Sequence, residues 1–317
     1  MKILDLSYSK FLSRTPNLHS PSLEKLILEG CSSLVELHQS IGRSKGLVFL
    51  NLRGCCRLKN LPGSICELEF LETLNITMCS QLEKLPERIG NMECLRELLA
   101  DGTSIKQLPL SIVFFKKLEK LSLCGRNYDK LDSPSGPWHV LFSSWFSPRN
   151  ANSKTLLPVS FGCLTSLREL DISYHGLSEG SISVAFESLS ALKRLDLSGN
   201  KFLYMPFGIG GIPKLEILLV VNCKNLQSIA ELPSSLLLLD ATNCTSMESL
   251  AVPSNKCALK LRGCQKLREI HGIEGGSDCT SFVHMECCNN LSNNFKRSLV
   301  QVIFASQLHT RQLAHIL

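Results

Sequence analysis

Shifted by 24 positions, one part of this chain falls on top of itself. Leu47, Leu50, Leu52, Cys55, Leu58, Leu61, Pro62 and Ile65 recur as Leu71, Leu74, Ile76, Cys79, Leu82, Leu85, Pro86 and Ile89. Within each copy the Leu-x-Leu step has the two-residue period of a strand. Its leucines therefore share one face and the residue between them takes the other. The remaining apolar positions carry the same layer through a turn and a return segment. One copy cannot bury such a layer alone, so neighbouring copies must stack. This is the pattern of a leucine-rich repeat. The expected fold is an α/β repeat solenoid, a leucine-rich-repeat horseshoe. It has a parallel β-sheet on the concave face and an irregular or short-helical convex side.

The register runs through most of the chain. Met1, Leu4 and Leu6 open it, and Leu23, Leu26, Leu28 and Cys31 form the next unit. Such a start gives the first coil an apolar edge, which implies that another domain preceded it or that the chain is a fragment. Leu95, Leu98 and Ala100 lead to Thr103, whose hydroxyl can serve the turn as the cysteine does. After Leu118, Leu121 and Leu123 the pattern fails in a Ser-, Pro- and Asn-rich stretch that holds both tryptophans, Trp138 and Trp145. It resumes at Leu167 and continues in shorter units to Leu291, with His175 and Asn200 standing at cysteine positions. Four segments are expected: repeats over 1–124, an aromatic insertion over 125–158, repeats over 159–292, and an amphipathic helix over 293–317. That helix would cap the array or begin a further domain.

Fifteen cysteines would suit a secreted disulfide framework. Their spacing argues against it. Cys31, Cys55, Cys79, Cys223, Cys244, Cys264 and Cys288 fall at one repeat position, where a thiol acts as a small buried residue. Reduced thiols place the chain in a reducing compartment, the cytoplasm and as a second location the nucleus. Cys279, His284, Cys287 and Cys288 cluster closely enough to raise zinc, but Cys288 is explained by the ladder and no second Cys-x-x-Cys pair accompanies it. No metal, cofactor or catalytic residue is assigned, because no nucleophile–base spacing stands out. No apolar run reaches the ~20 residues of a membrane span.

The remaining chemistry lies between and after the strand leucines, on the concave side. Lys25, Glu29, Asn51, Arg53, Asn75, Glu97, Asp101, Lys120, Asp171, Tyr174, Arg194, Asp196, Asp240, Lys260 and Arg262 are the candidate partner-binding residues there. Their signs alternate. A nucleic-acid groove would need a basic stripe, and the net charge of +6 with few aromatics gives weak support for one. A protein surface with patches of both signs fits better, since solenoids present extended faces to partners. Trp138 and Trp145 are second candidates, either packed on the solenoid or used as anchors, as tryptophan often is at interfaces.

The wording of the repeats also resembles a known family. LDLSYSKFLSRTPNL at Leu4–Leu18, LEKLILEGCSSLVELHQSIG at Leu23–Gly42, LEKLPERIGNMECLRELLADGTSIKQLPLSI at Leu82–Ile112 and LPSSLLLLDATNCTSMESL at Leu232–Leu250 are similar to the repeat region of plant intracellular immune receptors. The class is the one with a Toll/interleukin-1-receptor domain and a nucleotide-binding (NB-ARC) domain. The resemblance implies recognition of a pathogen effector or host protein, and autoinhibition of the nucleotide-binding domain. A constitutive scaffold of the same fold is the alternative. Neither a GxxxxGK[ST] phosphate loop nor a Toll-type domain occurs, so nucleotide binding and NAD cleavage do not carry over.

Overall fold

The structure is a computed structural model. It describes residues 2–18, 20–125, 156–178, 181–182, 186–253, 257–272 and 283–292. The expected helix over 293–317, Cys279, Trp138 and Trp145 lie outside the described residues. The chain divides into two compact units: Met1–Leu164 with Asp171–Val184, and Thr165–Leu170 with Ala185–Leu317.

The first unit is a parallel ladder of six three-residue strands, each paired with the next. They are β1 (Ile3–Asp5), β2 (Lys25–Ile27), β3 (Phe49–Asn51), β4 (Thr73–Asn75), β5 (Glu97–Leu99) and β6 (Lys120–Ser122). The register sets Leu4, Leu26, Leu50, Leu74, Leu98 and Leu121 side by side. From Leu26 onward these leucines are fully buried. Each contributes about 1.5–3 kcal/mol through removal from water, before the entropy of ordering it. β7 (Glu169–Asp171) crosses the division of the chain, with Asp171 in the first unit.

The strands stop because the backbone turns left-handed at one repeat position. Tyr8, Gly30, Gly54, Met78, Gly102 and Tyr174 all have φ between 57° and 74° there. Glycine takes this conformation without strain; tyrosine and methionine do not. The glycines also make room for a neighbour. A Cβ on Gly30 would lie 2.5 Å from the Tyr8 ring, and one on Gly102 would lie 2.7 Å from the Met78 sulfur.

The cysteine then ties each coil to the one before. Cys31, Cys55 and Cys79 donate from Sγ to the carbonyls of Leu6, Leu28 and Leu52 at 3.1–3.2 Å. At the same position Thr103 donates to Ala100 within its own coil, and Asn200 donates to Leu197, both at 2.8 Å. Burial pushes the Cys55 thiol up to about 12. The return segments are short 3-10 turns, Gln39–Arg43, Gly63–Glu67, Ile89–Asn91, Leu110–Phe114 and Val159–Cys163. Pro62, Pro109 and Pro158 set the extended entry into three of them, and Ile41, Ile65, Ile89, Ile112 and Phe161 are buried beneath. Leu156 and Leu157 are buried as well.

The second unit has β8 (Arg194–Asp196), β9 (Ile217–Leu219), β10 (Ser228–Ile229), β11 (Leu238–Asp240), β12 (Ser249–Ala251), β13 (Ala258–Lys260), β14 (Glu269–His271) and β15 (Val283–His284). β8, β9, β11, β13 and β15 form one parallel ladder, and β10, β12 and β14 form a second. Ile229, Leu250 and Ile270 stand in register in this second ladder, all buried. Repeat length accounts for β10 and β12. Cys31, Cys55 and Cys79 are 24 residues apart, but Cys223 and Cys244 are 21 apart and Cys264 follows after 20. An extended chain rises about 3.3 Å per residue against about 2.0 Å for a 3-10 turn, so a shorter repeat closes with an extended return. The fold is a leucine-rich-repeat solenoid with parallel ladders. No helix among the described residues is long and apolar enough to cross a membrane.

Candidate recognition face

In the three-residue strands β1–β9, β11 and β13 the middle leucine points inward and the two flanking residues point out, so register stacks the outward residues into columns. The first strand position carries Ile3, Lys25, Phe49, Thr73, Glu97 and Lys120 in the first unit, and Arg194, Ile217, Leu238 and Ala258 in the second. The third carries Asp5, Ile27, Asn51, Asn75, Leu99 and Ser122, then Asp196, Leu219, Asp240, Lys260 and His284.

Many of the predicted residues in the third column have a local task. Asn51, Asn75, Asp171, Asp196 and Asp240 each accept, through Oδ1, the backbone N–H two residues ahead: Arg53, Thr77, Ser173, Ser198 and Thr242, at 2.9–3.1 Å. Asp5 does the same for Ser7 at 2.9 Å, and the Ser7 hydroxyl and N–H hold its carboxyl below the usual range. These are Asx turns, which satisfy an amide left over where the strand ends. Asp196 and Asn51 are buried in doing so. Asp101 lies later in its repeat and reaches forward, accepting from the Cys124 N–H at 2.8 Å and the Ser122 hydroxyl at 2.6 Å.

The other predicted residues divide by partner. Glu29 accepts from Asn51 Nδ2 at 3.0 Å and from the Tyr8 hydroxyl at 3.4 Å. Lys260 faces Asp240 at 3.7 Å and Arg262 faces Glu286 at 3.3 Å. Lys25 and Arg53 are exposed, while Glu97, Lys120, Tyr174 and Arg194 are half-buried. Sequence reasoning named only polar side chains here and missed the apolar ones between them. Ile27, Phe49, Leu99, Ile217, Leu219 and Leu238 all sit outward at half-burial. A signal existed in Leu236-Leu237-Leu238-Leu239, because four successive leucines of a strand cannot all face inward.

Ser173 Oγ lies 3.1 Å from Cys124 Sγ and 2.6 Å from Asp171 Oδ1, but that carboxylate already caps the Ser173 amide and the His175 ring nitrogen meets the Leu123 carbonyl. The group stabilises a turn. Among the described residues no group of three His, Cys, Asp or Glu side chains is placed to hold a metal.

No known family profile matches the chain. Individual proteins do. Disease resistance-like protein DSC1 of Arabidopsis thaliana is 33% identical over 159 residues, half of this chain and 11% of that protein. TMV resistance protein N of Nicotiana glutinosa is 40% identical over 79 residues, a quarter of this chain and 7% of that protein. Disease resistance protein RPS4 of Arabidopsis thaliana is 28% identical over 207 residues, 61% of this chain and 16% of that protein. The chain is homologous to plant disease resistance proteins. It spans a sixth or less of the length of these three relatives. Among solved structures, a leucine-rich-repeat protein of Leptospira interrogans covers 95% of this chain and 94% of its own at 19% identity and a TM-score of 0.47. The repeat assignment itself rests on the strand register and the buried leucine stack.

Proposed function

We propose that this chain is the partner-recognising repeat module of a plant disease-resistance receptor. It binds a protein, either a pathogen effector or a host protein, through the outward columns of its strands. In the complete receptor it also restrains the nucleotide-binding (NB-ARC) domain. The module works in the cytoplasm or nucleus, where its ladder thiols stay reduced. Binding acts by differential affinity: a partner that prefers the released state shifts the receptor toward it.

One observation carries this reading. Inward leucines pack, cysteines tie coils together, and Asn and Asp cap turns, but outward side chains such as Lys25, Glu97 and Arg194 serve none of these ends. A surface not needed for folding is free to be selected for binding.

The test co-expresses the whole chain in leaf tissue with the NB-ARC portion of a disease resistance protein. The wild-type chain is expected to co-precipitate that portion and damp the cell death it triggers. Lys25→Glu with Glu97→Lys should lose both effects and melt as the wild type does. Equal behaviour of variant and wild type would overturn the reading.

A further inference from the structure

In the second unit, outward residues of β9 and β11 gather into an apolar patch. Ile217 and Leu238 are register partners in the first column, and Leu219 stands beside Asp240 in the third. Neighbouring strands are about 4.8 Å apart and same-face residues along a strand about 6.6 Å apart, so these three side chains touch one another's territory. Val221 continues the patch past the strand end at half-burial, and Leu237 extends it before β11 with 54% of its surface exposed.

The charges around the patch are unevenly matched. Lys193 is paired with Glu216 at 2.7 Å, Lys260 with Asp240 at 3.7 Å and Arg262 with Glu286 at 3.3 Å. Arg194, the register partner of Ile217, makes no side-chain hydrogen bond or ion pair with another described residue. Its nearest acid along the strand, Asp196, is buried and turned to the Ser198 amide at 2.9 Å.

We infer that this patch is a docking site for a protein segment that presents two or more large apolar side chains with a carboxylate beside them. The apolar side chains cover Leu219, Leu238 and Leu237, and the carboxylate pairs with Arg194. Interfaces are built this way, with an apolar centre, charge at its border and arginine among the residues that matter most. A fork of N–H donors at a low-dielectric edge favours a carboxylate over a neutral group. The inference rests on the recognition role proposed above and narrows it to one patch and one partner chemistry.

The experiment uses a random dodecapeptide phage library selected on the full chain, with Arg194→Glu, Leu219→Ser, Leu237→Ser and Lys25→Glu as parallel baits. Both leucines are partly exposed, so their variants should keep the wild-type melt, and two of them guard against a misfolded bait. The wild type should enrich peptides with clustered Leu, Ile or Phe next to Asp or Glu. Both serine variants should lose that enrichment. Arg194→Glu should lose the acidic preference and bind the best selected peptide at least about 30-fold more weakly, as loss of a desolvated ion pair predicts. Selected peptides without an acidic preference, or unaffected by the serine variants, would overturn the proposal. So would a dimer in sedimentation that Leu219→Ser dissolves, since a second copy would then be the occupant. Peptides lost instead with Lys25→Glu would sink this patch but leave the broader recognition role standing.

Discussion

Gly90→Ala adds one methyl group where the return segments of two coils press together. Gly90 sits in the 3-10 turn Ile89–Asn91, with its N–H donating to Ser111 Oγ at 3.2 Å. A Cβ there would stand 2.7 Å from the Ser111 carbonyl carbon and closer still to its oxygen, whereas ordinary contact begins at 3.4 Å. The obstacle is backbone and cannot swing aside, so the segments must part. Overpacking of this kind costs about 1–3 kcal/mol, and losing the amide hydrogen bond adds about 1 kcal/mol. The expected loss is about 2–4 kcal/mol. Gly63→Ala is the control, because Gly63 lies in an equivalent turn with no atom within 4 Å of the added Cβ. It should be neutral or stabilise by up to about 1 kcal/mol through the unfolded chain. Urea unfolding measures both, and hydrogen exchange at the Ile89 and Ile112 amides localises the change, since repeat arrays can open in parts. An unchanged midpoint for Gly90→Ala, or equal losses at both sites, would refute the steric reasoning.

Leu74→Asp places a carboxylate in a fully buried position between Leu50 and Leu98 and should cost more than about 4 kcal/mol, seen as loss of the first unit's cooperative melt. Asp196→Ala should cost about 1–2 kcal/mol by orphaning the Ser198 amide, while Lys25→Ala should stay within about 0.5 kcal/mol; chemical denaturation of the pair separates turn residues from free face residues. Alkaline pH tests the thiol ladder. Burial raises Cys55 and Cys223 from 9.0 to about 12, so the unfolded chain ionises first. Stability is then complete below about pH 9 and falls as pH rises toward 12, by at most about 1.4 kcal/mol per pH unit per thiol. Cys55→Ala should flatten that slope in pH-dependent melts, and an unchanged slope would count against burial as the cause.

The fold was legible because stacking repeats the same demand in every coil. The spacing of Leu47, Leu50 and Leu52 against Leu71, Leu74 and Ile76 fixes both strand and register. The second ladder of the second unit was not anticipated, although the shortened Cys223–Cys244–Cys264 spacing marks the repeats that hold its first two strands. The face was harder to read. Listing polar side chains did not show that Asn75 and Asp240 each stand two positions before an amide that needs an acceptor and so also have a local task. The same habit passed over Leu219 and Leu238, whose outward placement follows from strand alternation. Charge is a poor guide on a strand face, because turn capping and ion pairing consume it before any partner arrives.

The thiol-to-carbonyl bonds bear on how such a chain can change length. Cys55 supplies the donor and Leu28 the acceptor one unit earlier, and Cys79 and Leu52 repeat the arrangement. Duplicating or deleting a whole 24-residue unit therefore adds or removes one matched donor and acceptor and leaves the splice complete. Thr103 instead donates to Ala100 in its own coil. Because the splice stays complete, new binding faces can be assembled by shuffling whole units without first repairing the interior.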